Sequence, residues 1–300
     1  MSAAAAHRRI TLPGVPDLSV RRPEVPEQMD SPDCDLAALH RTYAGFRAVN
    51  TVVAGWQLTY RTLIRPALAE AAARTGTGGG AAPDRGAVPV TVLDIGAGGG
   101  DVARALLHRA RRDGFTVHVT AVDPDARAHA WASGRPPEEG LEILRALSGD
   151  LVREGRRFDV VISNHLLHHL DPAQLDAVLA DSEALATVRA VHSDIRRAPA
   201  AYALFSAGTL PFFPRSYIRA DGLASIRRSY TPAELAAAVR PGWRVQAQVP
   251  WRNLAIWDAA GRHARDPKTD APNGDAPNAD HPNADHPNAD APDAAGPGAD

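Results

Sequence analysis

A glycine-rich loop between a predicted strand and a predicted helix constrains this 300-residue chain more than any other feature. The segment Val90–Asp101 reads VTVLDIGAGGGD, with an apolar run followed by glycines and then by the start of a helical pattern. Glycine lets the backbone turn tightly and lets a ligand approach the N–H groups of the helix. The loop therefore predicts an α/β fold that binds a nucleotide-like ligand at a strand–helix junction.

Asp94 narrows the choice of ligand, because it stands two residues before the first glycine. A carboxylate there repels a pyrophosphate and attracts a cation. This disfavours an NAD-dependent dehydrogenase, which also usually has the shorter G-x-G-x-x-G spacing. A ligand that carries an ammonium and a sulfonium suits the position. The segment resembles motif I of the class I methyltransferases, and this resemblance implies S-adenosylmethionine as the cofactor.

Composition excludes several classes of protein. The hydrophobic content of 44% is sufficient for one core, and the net charge of −2 gives no field that attracts nucleic acid. Cys34 is the single cysteine, which excludes an internal disulfide and a cysteine-based metal cluster. No apolar run approaches the roughly 18–20 residues that span a bilayer. The N-terminal residues do not resemble a signal peptide, so we expect a cytoplasmic protein without a membrane span.

Changes in composition divide the chain into five parts. We expect a flexible arm over 1–30, a helical cap over 31–75, a linker over 76–88 and the cofactor-binding domain over 89–260. Residues 261–300 form the tail, which from Asp270 onward is an Asp/Pro/Asn/Ala repeat of period five; proline there blocks helix and sheet, so we expect this tail to be disordered.

Strand and helix patterns alternate within 89–260. Such alternation predicts a mostly parallel, Rossmann-like sheet with helices on both faces. Two final strand-like runs, 244–249 and 253–257, predict an antiparallel hairpin at the sheet edge, as class I methyltransferases have. Between the fifth strand and this hairpin, Thr231, Pro232 and Glu234 predict a helix with a capped N-terminus. The other predicted strands are 89–94, 115–122, 143–148, 158–163 and 187–193, and the predicted helices are 100–112, 125–133 and 173–186.

Four features in chain order fit a cofactor site, each at the carboxyl end of a predicted strand. Asp123 and Pro124 end the second strand, where a carboxylate accepts hydrogen bonds from ribose hydroxyls. Asp150 and Leu151 follow the third, where they suit the amine and the face of adenine. Either aspartate alone also fits a helix cap or a turn. The remaining predicted cofactor contacts are Asp94, Gly96, Ala97, Gly98 and Gly100 in the first feature and Asn164 in the fourth.

The N-terminal helices carry a looser resemblance. Phe46-x-x-x-Asn50, followed by Ala54-Gly-Trp56 and Tyr60-Arg61, is similar to the helices that precede the domain in the ubiquinone/menaquinone-biosynthesis methyltransferases. There they cover the cofactor and shape the acceptor pocket. The resemblance implies that Arg61 reaches the methionine carboxylate of the cofactor, and the alternative is an exposed helix arginine.

Three histidines follow the fourth strand in the run NHLLHHLD, at 165, 168 and 169. On one helix they would share a face, but zinc usually requires a further ligand and no candidate stands out, so no metal is expected. A phenol, with a pKa of about 10, gains from a base such as histidine. His168 is the first candidate for that base and His165 the second. Asp194, at the end of the fifth strand, orients a hydroxyl or a histidine, or pairs with Arg196 or Arg197.

The acceptor is expected to be a small aromatic or lipophilic molecule. The apolar stretch 200–213 lies where this fold places an acceptor lid, and core packing is the alternative. The stretch 221–235 resembles one in bacterial methyltransferases that serve polyketide-derived phenols. We expect O-methylation of a phenol or quinone precursor in secondary metabolism, with C-methylation of an activated ring as the alternative. A non-catalytic, cofactor-binding regulator is the alternative of another class. We expect a monomer or homodimer and no nucleic-acid partner.

Overall fold

The computed structural model describes residues 14–52, 55–74, 88–210 and 214–259. The predicted repeat tail 261–300 and nearly all of the predicted linker 76–88 lie outside these ranges, as do residues 1–13 of the predicted arm. Within the described residues, no helix is both long enough and apolar enough to cross a membrane.

The sheet has seven strands in the order β3-β2-β1-β4-β5-β7-β6. Neighbours from β3 to β5 pair in parallel, and β7 pairs antiparallel with both β5 and β6. The predicted class of fold, a mostly parallel Rossmann-like sheet with an antiparallel edge hairpin, is confirmed. The strands are β1 (Val90–Ile95), β2 (Val117–Val122), β3 (Leu141–Leu144), β4 (Phe158–Asn164), β5 (Ala186–Ile195), β6 (Arg244–Gln248) and β7 (Arg252–Asp258).

The central strands are nearly continuous apolar runs, because helices cover both of their faces. The helices are α1 (Leu36–Val52), α2 (Trp56–Thr59), α3 (Arg65–Arg74), α4 (Asp101–Arg112), α5 (Ala126–Ser133), α6 (Ser148–Arg153), α7 (Pro172–Leu185), α8 (Pro199–Gly208), α9 (Ile218–Arg228) and α10 (Pro232–Ala238). A π-helical turn, Tyr60–Ile64, joins α2 to α3.

Two apolar clusters fill the space between the sheet and its helices. On one face, Trp56, Ile64 and Leu68 of the N-terminal helices pack with Leu106 and Leu107 of α4 against β1, β2 and β4. On the other face, α7 and α10 contribute a second cluster. The α10 helix has the predicted capping box, in which the Thr231 hydroxyl accepts from the backbone N–H of Glu234.

Residues 14–30 depart from the expectation of a flexible arm, because they lie against the domain through specific contacts. The backbone N–H of Arg22 donates to the carbonyl of Arg227 at 2.9 Å, and the Arg197 guanidinium donates to the carbonyl of Leu18 at 2.9 Å. Glu27 is buried. Composition without periodicity suggested disorder, whereas hydrogen bonds from residues far along the chain hold this segment in place.

Candidate active site

The glycine-rich loop joins β1 to α4 and borders a cavity at the carboxyl end of the sheet. Gly96, Gly98 and Gly100 have φ angles of 66°, 53° and 72°, a region that favours glycine. A Cβ atom at Gly96 would lie 2.9 Å from Cδ1 of Leu166. Position 96 therefore requires glycine both for its backbone conformation and for the close approach of the segment that follows β4.

Asp94 lines the cavity and has an unsatisfied oxygen. Its side chain is 1% exposed, and no donor among the described residues forms a hydrogen bond with Oδ2. Burial, together with the charges of Asp101 and Asp123, raises the pKa of Asp94 well above its usual value. A buried acceptor without a partner is costly. The ammonium group of S-adenosylmethionine would supply the missing donor, so the residues here fit that cofactor.

Asp123 also lines the cavity, as the cofactor prediction requires. Its Oδ2 accepts the backbone N–H of Gly98 at 2.8 Å, and its Oδ1 accepts that of Asp125 at 2.9 Å. Burial raises the pKa of the carboxyl despite these bonds. Each carboxylate oxygen has a further lone pair, so the two backbone bonds orient Asp123 and leave acceptors for a ligand. Ala97 and Pro124, two more of the predicted contacts, line the same cavity.

Asp150 and Leu151 are not brought to the cavity. The third strand ends at Leu144, earlier than predicted, and Ser148–Arg153 forms α6 instead. Asp150 accepts the backbone N–H of Leu147 at 2.8 Å and pairs with Arg153. Leu151 is buried in the apolar core. In this conformation Asp150 caps a helix, which was the alternative to its predicted adenine contact.

Arg61 is exposed in the π-helical turn and does not line the cavity, so the structure supports the alternative reading of this residue. The arginine that does line the cavity is Arg252, at the start of β7, with 1% of its surface exposed. Burial lowers the pKa of Arg252 to about 10, although Asp194 acts in the opposite direction. Sequence reasoning missed Arg252 because an arginine at the start of an edge hairpin is usually solvated.

Arg252 begins a chain of polar side chains that ends at the glycine loop. Its Nη2 donates to Oδ1 of Asn164 at 2.6 Å, and Nδ2 of Asn164 donates to Oδ1 of Asn50 at 2.9 Å. Nδ2 of Asn50 in turn donates to Oδ2 of Asp101 at 2.8 Å. The chain ties α1 to the N-terminus of α4, to the carboxyl end of β4 and to the start of β7. It therefore fixes Asn164, a predicted cofactor contact, beside the loop.

His165 has a strained backbone and a neutral ring. Its φ of 62° is unusual for a residue with a side chain, and Nη1 of Arg252 lies 3.1 Å from its Nε2. Burial and the charge of Arg252 lower the pKa of His165 well below its usual value. Because arginine only donates, Nε2 must accept and Nδ1 must carry the hydrogen. His165 can donate a hydrogen bond from Nδ1, but it is a weak base.

His168 is a buried member of an ion pair, which argues against its predicted role as a free base. Its Nδ1 lies 2.7 Å from Oδ1 of Asp194, and its Nε2 lies 3.4 Å from Oε1 of Glu27. Burial alone would lower the pKa of His168, but Asp194 and Glu27 together raise it to about 9. A ring that is already protonated at neutral pH cannot take a proton from an acceptor. Asp194 holds the ring and the backbone N–H of His168, so of the alternatives for Asp194 the structure supports the one in which it orients a histidine, and not the pairing with Arg196 or Arg197.

The far side of the cavity is apolar, as expected for an acceptor pocket. The cavity has a volume of about 860 Å³ and extends from the glycine loop to α8 and α9. The residues of the predicted lid that are described fold as α8, with Ala201, Leu204 and Phe205 on the cavity wall. Other apolar lining residues are Phe46, Val49, Ile218, Ile226 and Trp251.

Residues 92–189, from β1 into β5, match the family model described as a methyltransferase domain. The matched segment carries the glycine loop, Asp94, Asp123 and Asn164. This segment of the chain is therefore similar to a methyltransferase domain. The narrower resemblance to the quinone-biosynthesis enzymes stays a prediction. The sequence has no significant match among curated proteins.

Several solved methyltransferases are similar in overall structure. The plantazolicin methyltransferase BpumL, in complex with SAH, shares 12% identity over 74% of this chain and 95% of its own, with a TM-score of 0.42. Magnesium protoporphyrin IX methyltransferase (ChlM) from Synechocystis PCC 6803, with bound SAH, shares 15% identity over 72% and 84%, with a TM-score of 0.41. Human N-acetylserotonin methyltransferase (ASMT), in complex with SAM, shares 12% over 75% and 56%, with a TM-score of 0.46.

Proposed function

We propose that the protein is an S-adenosylmethionine-dependent methyltransferase of small aromatic or lipophilic metabolites. One observation carries the proposal. A single cavity joins the glycine loop, Asp94 and Asp123 at one end to apolar side chains of α8 and α9 at the other. Its volume of about 860 Å³ lies near the upper end of the range of small-ligand pockets, about 300–1,000 Å³. This is room for a cofactor and an acceptor side by side.

The residues of the cofactor half bind the cofactor and orient it. When bound, S-adenosylmethionine supplies an activated methyl group on a sulfonium. Asp94 accepts a hydrogen bond from the ammonium group, and Asp123 accepts from the ribose hydroxyls while its own bonds to the backbone hold it still. Asn164, fixed by Arg252 and Asn50, closes the site beside the loop. Arg61, to which the resemblance gave the methionine carboxylate, is exposed and does not line the cavity.

The residues of the acceptor half align the acceptor and exclude water. The apolar wall of α8 and α9 favours an aromatic or lipophilic molecule and removes solvent from the reacting atoms, so alignment and desolvation contribute much of the rate. The buried guanidinium of Arg252 at the cavity wall favours an acceptor that carries an anionic or acidic oxygen. O-methylation is therefore favoured, and C-methylation of an activated ring is the second candidate.

A non-catalytic regulator that binds the cofactor is the candidate from another class. The enclosed apolar volume beyond the glycine loop supports the enzyme, because a regulator requires no acceptor space. Calorimetry with S-adenosylmethionine, followed by a methyl-transfer screen over phenols, quinols and small acids, tests the proposal. We expect saturable cofactor binding and turnover of at least one aromatic acceptor. No binding at millimolar cofactor would contradict it, and binding without turnover of any acceptor would favour the regulator.

A further inference from the structure

Three potential metal ligands meet at one point of the cavity wall, and we call them the Glu27–His168–His169 cluster. His168 and His169 lie in a short 3-10 turn after β4, and Glu27 comes from the N-terminal segment. One ligand atom from each residue lies within 4.8 Å of the others. All three residues line the cavity that contains the glycine loop.

The distances in the cluster are those of a metal site without its ion. Nε2 of His168 lies 3.4 Å from Oε1 of Glu27, and Nε2 of His169 lies 3.7 Å from Oε2 of Glu27. Two ligands at about 2.0–2.1 Å from a tetrahedral zinc ion are about 3.4 Å apart. Only small side-chain movements would bring all three ligand atoms to one ion.

Each imidazole is backed by a second carboxylate. Nδ1 of His168 lies 2.7 Å from Oδ1 of Asp194, and Nδ1 of His169 lies 3.3 Å from Oδ2 of Asp30. Metal-binding histidines almost always donate their other N–H to such a partner, which fixes the tautomer and leaves Nε2 as the ligand atom. The ion would displace the proton that Nε2 of His168 carries in the metal-free ring, and this proton would pass to water. Histidines that bind no metal do not need such a carboxylate partner, whereas both imidazoles of this cluster have one.

An unpartnered atom points to a ligand independently of these distances. The side chain of His168 is 1% exposed, and its Nε2 forms no hydrogen bond within the described residues. The ion pair of that atom with Glu27 lacks the alignment of a hydrogen bond. Two arginines lie near the cluster: Arg228, with Nη1 3.8 Å from Glu27 and 3.4 Å from Asp30, and Arg21, whose Nη2 donates to the carbonyl of His168 at 3.1 Å. They offset part of the negative charge of Glu27, Asp30 and Asp194.

We propose that Glu27, His168 and His169 bind one divalent transition-metal ion in the wall of the cavity. Two imidazoles and a carboxylate suit zinc, and Co²⁺ and Fe²⁺ are chemically close. Three protein ligands leave a tetrahedral ion one open position, which is the pattern of catalytic sites. Zinc usually requires ligands from separate segments of the chain. The third ligand was not identified from the sequence because Glu27 lies far from the histidine pair.

The open position would let the ion bind the acceptor, and this part of the inference rests on the proposed methyltransferase function. The hydroxyl or thiol of an acceptor would coordinate the ion and lose its proton to water, so that a metal–oxygen or metal–sulfur bond replaces the O–H or S–H bond. A bound dication lowers the pKa of such a group strongly. Activation by the ion would then take the place of a general base. The cluster, Asp123 and the glycine loop line the same cavity, which puts the ion and the cofactor in one site.

Metal titration of the full chain, purified without a histidine tag and stripped with a chelator, tests the proposal. The probes are Co²⁺ alone, followed by its visible absorption, and Zn²⁺ in competition with it. We expect one equivalent to bind with a tetrahedral spectrum, and Glu27→Gln and His169→Ala to weaken Co²⁺ binding at least ten-fold. His108→Ala is the matched control, because His108 also faces a glutamate, with Nε2 3.4 Å from Glu138, but is exposed. A double variant of His281 and His286 controls for the C-terminal repeat.

The outcomes separate clearly. No saturable binding at micromolar Co²⁺ or Zn²⁺ would overturn the proposal, as would equal affinity in the wild type and both cluster variants, or loss of binding in the His281/His286 variant. Calorimetry with S-adenosylmethionine on each variant shows that it is folded. It also distinguishes the two proposals. If only the metal proposal is wrong, the protein still binds S-adenosylmethionine; if only the cofactor proposal is wrong, it still gives the tetrahedral Co²⁺ spectrum.

Discussion

His168 and Asp194 form a buried ion pair that joins the turn after β4 to the end of β5. Oδ1 of Asp194 lies 2.7 Å from Nδ1 of His168, and Oδ2 accepts the backbone N–H of the same residue at 2.7 Å. Both side chains are almost completely buried. Because the loss of one partner would leave a buried charge unpaired, the pair holds the histidine turn firmly against the sheet.

The pair predicts a loss of stability at alkaline pH in the metal-free protein. The pKa of His168 is about 9 in the folded chain and about 6.5 in the unfolded chain, so its contribution is complete below pH 6.5 and is lost as the pH rises through 9. The pKa of Asp194 is lowered, so its contribution is lost as the pH falls below about 3.8. Urea unfolding in a chelator should show a free energy of unfolding that falls between pH 6.5 and 9. In His168→Gln that decline should be much smaller, and an equal decline would remove His168 as its source.

Asp123→Ala should weaken S-adenosylmethionine binding by about 10- to 100-fold, since hydrogen bonds to a charged group contribute about 1.5–3 kcal/mol. The variant would lose the ribose acceptor and would also release the N–H of Gly98. Isothermal calorimetry measures the effect. Asp150→Ala is the matched comparison, and because Asp150 caps α6 we expect its affinity to change by less than about three-fold. A large loss in Asp150→Ala would instead support the predicted adenine contact.

Arg252→Met should lower the free energy of unfolding by about 2–4 kcal/mol, because it leaves the buried acceptors of Asn164 and Ser193 without their donor. The loop beside Asn164 should loosen as well, so cofactor affinity should fall. Arg61→Ala removes an exposed side chain and should change stability by less than about 0.5 kcal/mol. Denaturant melts and calorimetry on both variants decide between the two arginines, and a selective loss of cofactor binding in Arg61→Ala would favour Arg61.

Gly222→Ala should alter the acceptor pocket and leave the cofactor half unchanged. A Cβ atom at Gly222 in α9 would lie 2.4 Å from Cε1 of Phe205 in α8, so the ring must move within the cavity wall. Overpacking of this kind costs about 1–3 kcal/mol. We expect a raised KM for the acceptor with an unchanged Kd for S-adenosylmethionine. Gly149→Ala adds the same methyl group to α6, outside the cavity lining, where the nearest atom would be Oδ2 of Asp181 at an ordinary 3.5 Å, so its kinetics should match the wild type.

The elements that the sequence predicted well are those whose signals are local. The apolar runs of β1 and β4 identified the buried parallel strands, and the Thr231–Glu234 capping box located α10. The glycine loop predicted its own conformation, because positive φ angles at 96, 98 and 100 depend on the residues there. Asp94 and Asp123 followed from their places at the ends of strands.

The predictions that departed from the structure depend on distant parts of the chain. Arg61 points away from the cavity because α2, the π-helical turn and α3 present Tyr60 and Ile64 to the core instead. Asp150 lies in α6 because the third strand ends several residues earlier than its apolar pattern suggested. Neither Arg252 nor Glu27 has a local signal, since each is buried only by elements distant in sequence.

The contacts of residues 14–30 with later parts of the chain affect the order in which the parts of the protein fold. This segment is synthesised before the rest of the domain, yet its contacts with the histidine turn, Asp221 and Arg227 involve residues that are synthesised much later. Contacts of such long sequence separation form late in folding, because the intervening chain must be ordered first. The cofactor half of the site, built from β1 to β4, can assemble while the nascent chain still lacks α9. The acceptor half waits for α9, and then for the N-terminal segment to return and close its wall.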